Sequence, residues 1–168
     1  MFFSYHHIDW AIRMIKELGF KFYKPLIWYK PDTMGVFPRQ YGCNYEVVLW
    51  FRNETKKNGK VKLNMGCGQR DVFQANSTGI KGRKEAGFHP TPKPLNIIRK
   101  LVENGSDVGD LILDCFMGSG TTAVVCKQSN RNFIGFELDQ KWIDVSNKRL
   151  SQDSLMEKDW FGVKNAEK

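Results

Sequence analysis

With 168 residues, 41% of them hydrophobic, the chain has the composition of a globular protein and the length to bury a core of ordinary domain size. Its net charge of +8 and pI of about 9.4 favour an anionic partner, nucleic acid first, with a merely solvated basic surface as the alternative that charge alone leaves open. No stretch approaches the ~20 apolar residues of a membrane span, and the opening residues lack the basic run and apolar core of a signal peptide.

Residues 1–5 read as part of a short strand. Over residues 7–18, Ile8, Ala11, Ile12, Ile15 and Leu18 recur at helical spacing, and Gly19 closes the run. Residues 25–30 (PLIWYK) and 46–51 (EVVLWF) are aromatic and β-branched and predict two strands, separated by a loop carrying Gly35, Pro38 and Gly42. Residues 52–88 are polar, basic and Gly-rich and predict one long loop, of a kind that is usually functional when it interrupts a compact domain. Beyond it, Pro94 opens a helix to about Asn104 with Leu95, Ile98, Leu101 and Val102 on its buried face. Residues 111–116 predict a strand, 120–128 a helix, 131–138 a strand, and 139–150 a helix capped by Asp139. Strands alternating with crossover helices imply a parallel sheet of the α/β class, in a single domain over 1–168.

The four cysteines, Cys43, Cys67, Cys115 and Cys126, form no CxxC pair, and no His stands at zinc-ligand spacing from them, so no metal site is expected. Cys115 and Cys126 lie in apolar runs and read as core thiols, consistent with a reducing cytoplasm.

The strongest chemical signal is LILDCFMGSGTT, residues 111–122. A strand ends in Asp114 and passes through a Gly-rich turn into a helix. Gly118 and Gly120 let a ligand approach the backbone, and the unpaired N–H groups of the helix start face it. Fifteen residues after Gly120, Gly135 precedes Phe136 and Glu137, which puts an acid at the end of the next strand, where it can accept from a ribose diol. The pattern suits a nucleoside cofactor, while a plain βα turn with a surface acid stays open on spacing alone. It is not GxGxxG, which weakens a dinucleotide, and no Gly-Lys-Ser/Thr follows, which excludes a standard P-loop.

These residues carry a family resemblance. DCFMGSGTT at 114–122, GFELD at 135–139 and FHPTPKP at 88–94 resemble the three cofactor-region motifs of the N6-adenine/N4-cytosine DNA methyltransferases, in the order of the permuted beta group. The similarity runs over about residues 1–150. It implies a Rossmann-like sheet with helices on both faces and S-adenosylmethionine as cofactor. By the resemblance, Asp114, Phe116, Gly118 and Gly120 line its methionine end, Ser119 is a further cofactor-binding residue, and Thr121 and Thr122 sit beside its carboxylate. Glu137 takes the ribose hydroxyls, and Lys93, with His89, Thr91 and Pro92, lies over the cofactor. Cys115 stands where the family usually has proline, which implies a slightly looser turn.

The catalytic motif of that family, Asp/Asn/Ser-Pro-Pro followed by an aromatic residue, is not in the chain: the prolines are 25, 31, 38, 90, 92 and 94, and no two are adjacent. No catalytic residue is therefore assigned. The resemblance implies an N-terminally truncated fold lacking a central strand, as a gene fragment, an internal start or half of a split enzyme. The strands at 1–5 and 111–116 are then expected either to close up directly or to be completed by a second chain or a homodimer.

Residues 52–88 occupy the place of the family's target-recognition region. Arg52, Lys57, Lys60, Lys62, Arg70, Lys81, Arg83 and Lys84 are the candidate DNA contacts, acting on phosphates rather than reading sequence. A solvated linker is the competing reading of the same charges. The function expected is methyl transfer to an exocyclic amine of DNA, adenine N6 ahead of cytosine N4, incomplete in this chain alone. The alternative is a catalytically inactive module that binds DNA or a subunit. A small-molecule methyltransferase fits less well, since neither the HPTPKP motif nor the basic segment belongs to it.

Overall fold

The computed structural model describes residues 2–3, 5–32, 42–53 and 69–152. The chain, expected as one domain, clusters into two compact units, Met1–Gly79 and Ile80–Lys168, each with its own sheet. The expected inserted segment at 52–88 spans their boundary.

In the first unit, β1 (Phe2–Phe3) leads through a 3-10 turn at Tyr5–His7 into α1 (Ile8–Glu17). Gly19, with φ of +85°, reverses the chain after α1. Strands β2 (Phe20–Tyr29), β3 (Tyr45–Asn53) and β4 (Val72–Gln74) follow. The sheet order is β1-β3-β2-β4, with β3 antiparallel to β1 and β2, and β4 parallel to β2. Ala11, Val47 and Leu49 form its core, with Phe3, Ile8, Ile12, Phe22, Ile27 and Phe51 packed around them. The apolar stripe of α1 thus supplies the cover for one face of the sheet. Trp28 is buried, and its indole N–H donates to the carbonyl of Ala75 at 2.8 Å, which ties the segment after β4 to β2.

Strand β2 begins five residues earlier than the sequence predicts. Pro25 lies inside it, opposite Leu49 and just past a register shift between Phe22 and Lys24. Proline is tolerated there because β4 pairs with β2 only at Ile27, Trp28 and Tyr29, so the strand is a local edge at Pro25.

The second unit comprises α2 (Ile80–Glu85), α3 (Leu95–Gly105), β5 (Leu111–Asp114), α4 (Thr121–Gln128), β6 (Asn132–Gly135) and α5 (Gln140–Leu150). β5 and β6 are parallel, with Leu113 opposite Ile134 and Asp114 opposite Gly135. α4 is the centre of this unit: Thr121, Ala123, Val124, Val125 and Cys126 are buried, and the helix packs against α3, α5 and β6. Asp139 caps α5 as expected, accepting from the Lys141 amide at 2.9 Å. The outward face of the β5–β6 pair is bare and mostly apolar: Leu111 is 61% exposed, Leu113 60% and Ile134 46%, with Asn132 its polar member and Phe136, just past β6, 59% exposed.

Two expectations need correction. Residues 52–88 are not one loop, since β4 and α2 form within them. Both are too short, and α2 too basic, to stand out by periodicity. Cys115 is exposed rather than a core thiol, because β5 ends at Asp114 and the turn carries Cys115 out of the apolar run.

Candidate functional site

Every residue expected at the cofactor belongs to the second unit, so the site can be built from that unit alone. Its centre is the turn between β5 and α4. Gly118 and Gly120 have φ of +53° and +77°, the left-handed region in which an L side chain is strained. The Gly120 amide donates to the Met117 carbonyl at 3.0 Å and closes the turn. The first N–H groups of α4 have no intrahelical acceptor, so the turn offers donors and the positive end of a helix to whatever lies before it.

Two carboxylates frame this turn. Asp114 accepts from the Phe116 amide at 3.1 Å and from the Thr122 hydroxyl at 2.6 Å, bracing the turn against the first turn of α4. Glu137 accepts from the Gly118 amide at 2.8 Å through one oxygen, and from the amides of Leu138 and Asp139 at 2.8 and 3.0 Å through the other. The Asp139 amide first, and with it those of Gly118 and Leu138, hold its pKa below the ordinary glutamate value against the opposing effect of burial. A carboxylate has about four acceptor positions, so Glu137 keeps capacity for a hydroxyl beyond its three amides.

His89 stands over the same turn. A methyl group on Gly118 would lie 3.0 Å from its Nε2. Nδ1 of His89 accepts from the Thr91 amide at 3.2 Å, and the ring meets Trp142 of α5 edge-on, with centroids 4.4 Å apart. Burial, helped by the charges of Lys93 and Arg149, lowers the imidazole pKa against the pull of Glu137. The structure therefore brings together His89, Asp114, Gly118, Gly120, Thr122 and Glu137. Pro92 and Lys93 follow in the same segment and are half-buried, while Phe116 is exposed beside the turn.

Ser119 and Thr121 are placed differently from the expectation. Both side chains are buried and turned towards α5, where Nη1 of Arg149 reaches the Ser119 carbonyl at 2.5 Å, the Ser119 hydroxyl at 3.4 Å and the Thr121 hydroxyl at 3.5 Å. Arg149 and Trp142 were not legible as site residues. In sequence they belong to a helix with basic residues in its last turn, which ordinarily marks a solvated surface.

Of the candidate DNA contacts, Arg52 lies on β3 and donates to the Tyr23 hydroxyl at 3.2 Å, and Arg70 is exposed just before β4. Lys81, Arg83 and Lys84 are exposed on α2, in the other unit. Lys57, Lys60 and Lys62 lie outside the described residues.

With this geometry in hand, comparison with known proteins is decisive. The N6/N4-type family model described as DNA methylase matches residues 1–148. The chain belongs to that family. It is 32% identical over 159 residues to the type II methyltransferase M2.DpnII of Streptococcus pneumoniae, covering 90% of this chain and 59% of that protein. To M2.MboI of Moraxella bovis it is 30% identical over 172 residues, covering 96% and 61%. The chain thus spans about three fifths of the length of the curated relatives it matches. Among solved structures, the M1.HpyAVI complex with S-adenosylmethionine (SAM) superposes with a TM-score of 0.74 at 29% identity, covering 88% of this chain and 72% of that one. The cytosine-N4-specific PvuII methyltransferase, at 22% identity and a TM-score of 0.70, shows the fold alone. The fold is the α/β fold of the SAM-dependent DNA methyltransferases.

Among the described residues, no helix is long and apolar enough to cross a membrane, and no three of His, Cys, Asp and Glu cluster to hold a metal ion.

Proposed function

We propose that this chain binds S-adenosylmethionine at the turn of residues 114–122 and serves methyl transfer to an exocyclic amine of DNA, adenine N6 ahead of cytosine N4. The observation that carries the reading is the joining of three separate sequence motifs at one point: Gly118 is bonded to Glu137 and lies against His89. The site's donor set suits the ligand. Asp114 and Glu137 accept from amino and hydroxyl groups, and the start of α4 receives a carboxylate. The cofactor, when bound, supplies a methyl group on a sulfonium centre. The chain's own residues hold and orient it.

The step at the base needs the Pro-Pro motif, which these 168 residues do not contain. We infer that a further polypeptide segment carries it and also covers the bare outward face of β5 and β6. A parallel pair is ordinarily buried on both faces. The cytoplasm is the compartment this reading implies. Arg70, Lys81, Arg83 and Lys84 are offered as phosphate contacts. Calorimetry with S-adenosylhomocysteine tests the cofactor reading: saturable binding weakened by Asp114→Ala and by Glu137→Ala supports it, and no binding at millimolar ligand overturns it.

The missing motif also supports a second reading, a catalytically inactive module that holds DNA or a subunit. DNA retention that falls steeply with salt, without any methyl transfer after addition of a polypeptide bearing the Pro-Pro motif, would favour it.

A further inference from the structure

One face of α5 meets both cofactor-region segments. Trp142, Val145, Ser146 and Arg149, spaced as i, i+3, i+4 and i+7, form a single stripe. Trp142 contacts His89, and Val145 lies where a side chain on Gly87 would sit, at 2.8 Å. Ser146 closes off the space beside Gly120, and Arg149 bonds to Ser119 and Thr121. Within that stripe Arg149 is the chemically unusual member. Only 8% of it is exposed, its bonded partners are a carbonyl and two hydroxyls, and among the described residues no carboxylate lies within salt-bridge distance.

A guanidinium removed from water is ordinarily matched by an anion, because neutral acceptors offset only part of the lost hydration. Here the positive end of α4, which begins at Thr121, adds charge of the same sign, and Glu85 opposes it without forming a salt bridge. Holding the Ser119 carbonyl also fixes the Ser119–Gly120 peptide plane, whose N–H points away into the bond with Met117. The result is a rigid turn with a buried positive charge behind it that Glu85 offsets only in part, from beyond salt-bridge distance.

We infer that Arg149 is a positioning residue whose buried charge gives the turn its preference for a ligand bearing a carboxylate, so that it selects the amino-acid end of the cofactor without touching it. This rests on the cofactor reading above. The two can be tested separately, because the nucleoside thioether part of the ligand exists without the amino acid.

The experiment measures the affinities of S-adenosylhomocysteine and 5′-methylthioadenosine for the full chain and for two variants. Arg149→Gln keeps an N–H donor for the Ser119 carbonyl but removes the charge, while Arg149→Lys keeps the charge. The expected result is that Arg149→Gln weakens S-adenosylhomocysteine about tenfold, or about 1.4 kcal/mol, leaves methylthioadenosine within about twofold, and that Arg149→Lys retains the wild-type ratio. An equal loss for both ligands, or no loss for either, would overturn the proposal and leave Arg149 a purely structural residue. If Arg149→Gln does not fold, the Lys variant decides: a ratio that collapses despite the retained charge also overturns it. Failure of the wild-type chain to bind either ligand removes the cofactor reading and this proposal together.

Discussion

The amide of Gly118 donates to the carboxylate of Glu137 at 2.8 Å, across 19 residues of sequence. That bond makes an acid two residues past β6 a part of the turn that follows β5. Glu137→Ala removes the acceptor for the turn and, with it, the acceptor proposed for a ligand hydroxyl. Hydrogen bonds to charged groups are worth about 1.5–3 kcal/mol each, so the substitution is expected to weaken S-adenosylhomocysteine by at least about tenfold in calorimetry. Glu137→Gln, which retains one acceptor oxygen, should lose less. Equal affinities for wild type and Glu137→Ala would show that the carboxylate serves the turn alone.

Gly120 and Gly109 separate strain from crowding. Both have positive φ, +77° and +88°, but a side chain on Gly109 would meet nothing, whereas one on Gly120 would overlap Ser146. Gly109→Ala should cost roughly 1–2 kcal/mol in chemical denaturation, the price of a left-handed L residue. Gly120→Ala should cost clearly more. Indistinguishable midpoints would mean that α5 can move away from the turn.

His89 gives the unit a pH dependence with a defined sign. Burial lowers its folded pKa from the ordinary 6.5. The stability contributed by the neutral ring is therefore complete above about pH 6.5 and is lost as pH falls through the lower folded value. Thermal denaturation between pH 7.5 and 5 should show a decline that His89→Asn flattens. A variant curve parallel to wild type would assign the decline to other groups.

The bare face of β5 and β6 gives a fourth test. Leu113→Ser and Phe136→Ser remove apolar side chains that are already mostly in water, so each should leave the denaturation midpoint within about 0.5 kcal/mol. The same changes should reduce self-association in sedimentation, and should abolish capture of a polypeptide carrying the Pro-Pro motif. Lost stability with unchanged association would mean that the chain covers this face itself.

Much of the second unit was legible because its signals are local. An apolar run ending in an acid, then closely spaced glycines, then a β-branched helix can be read without neighbours, and so can Asp139 as a cap. The elements missed are those whose reason is tertiary. β4 has three residues, and its strand character comes from pairing with Ile27, Trp28 and Tyr29. The first half of β2 was hidden by Pro25, which becomes acceptable only because β4 stops short of it. Arg149 was invisible for the same kind of reason: among Lys148 and Asn147 it looks like any solvated base, and only the packing of α5 against the turn buries it.

The stripe on α5 also constrains how this protein can vary. Gly87 faces Val145, Gly120 faces Ser146, and Gly118 faces a histidine that is itself braced by Trp142. A larger residue at 145 or 146 would displace the backbone at Gly87 or Gly120. These positions therefore form a lock in sequence space: substitutions on this face of α5 should be tolerated only in sets, and the partners at 87, 89, 118 and 120 should change with them or not at all.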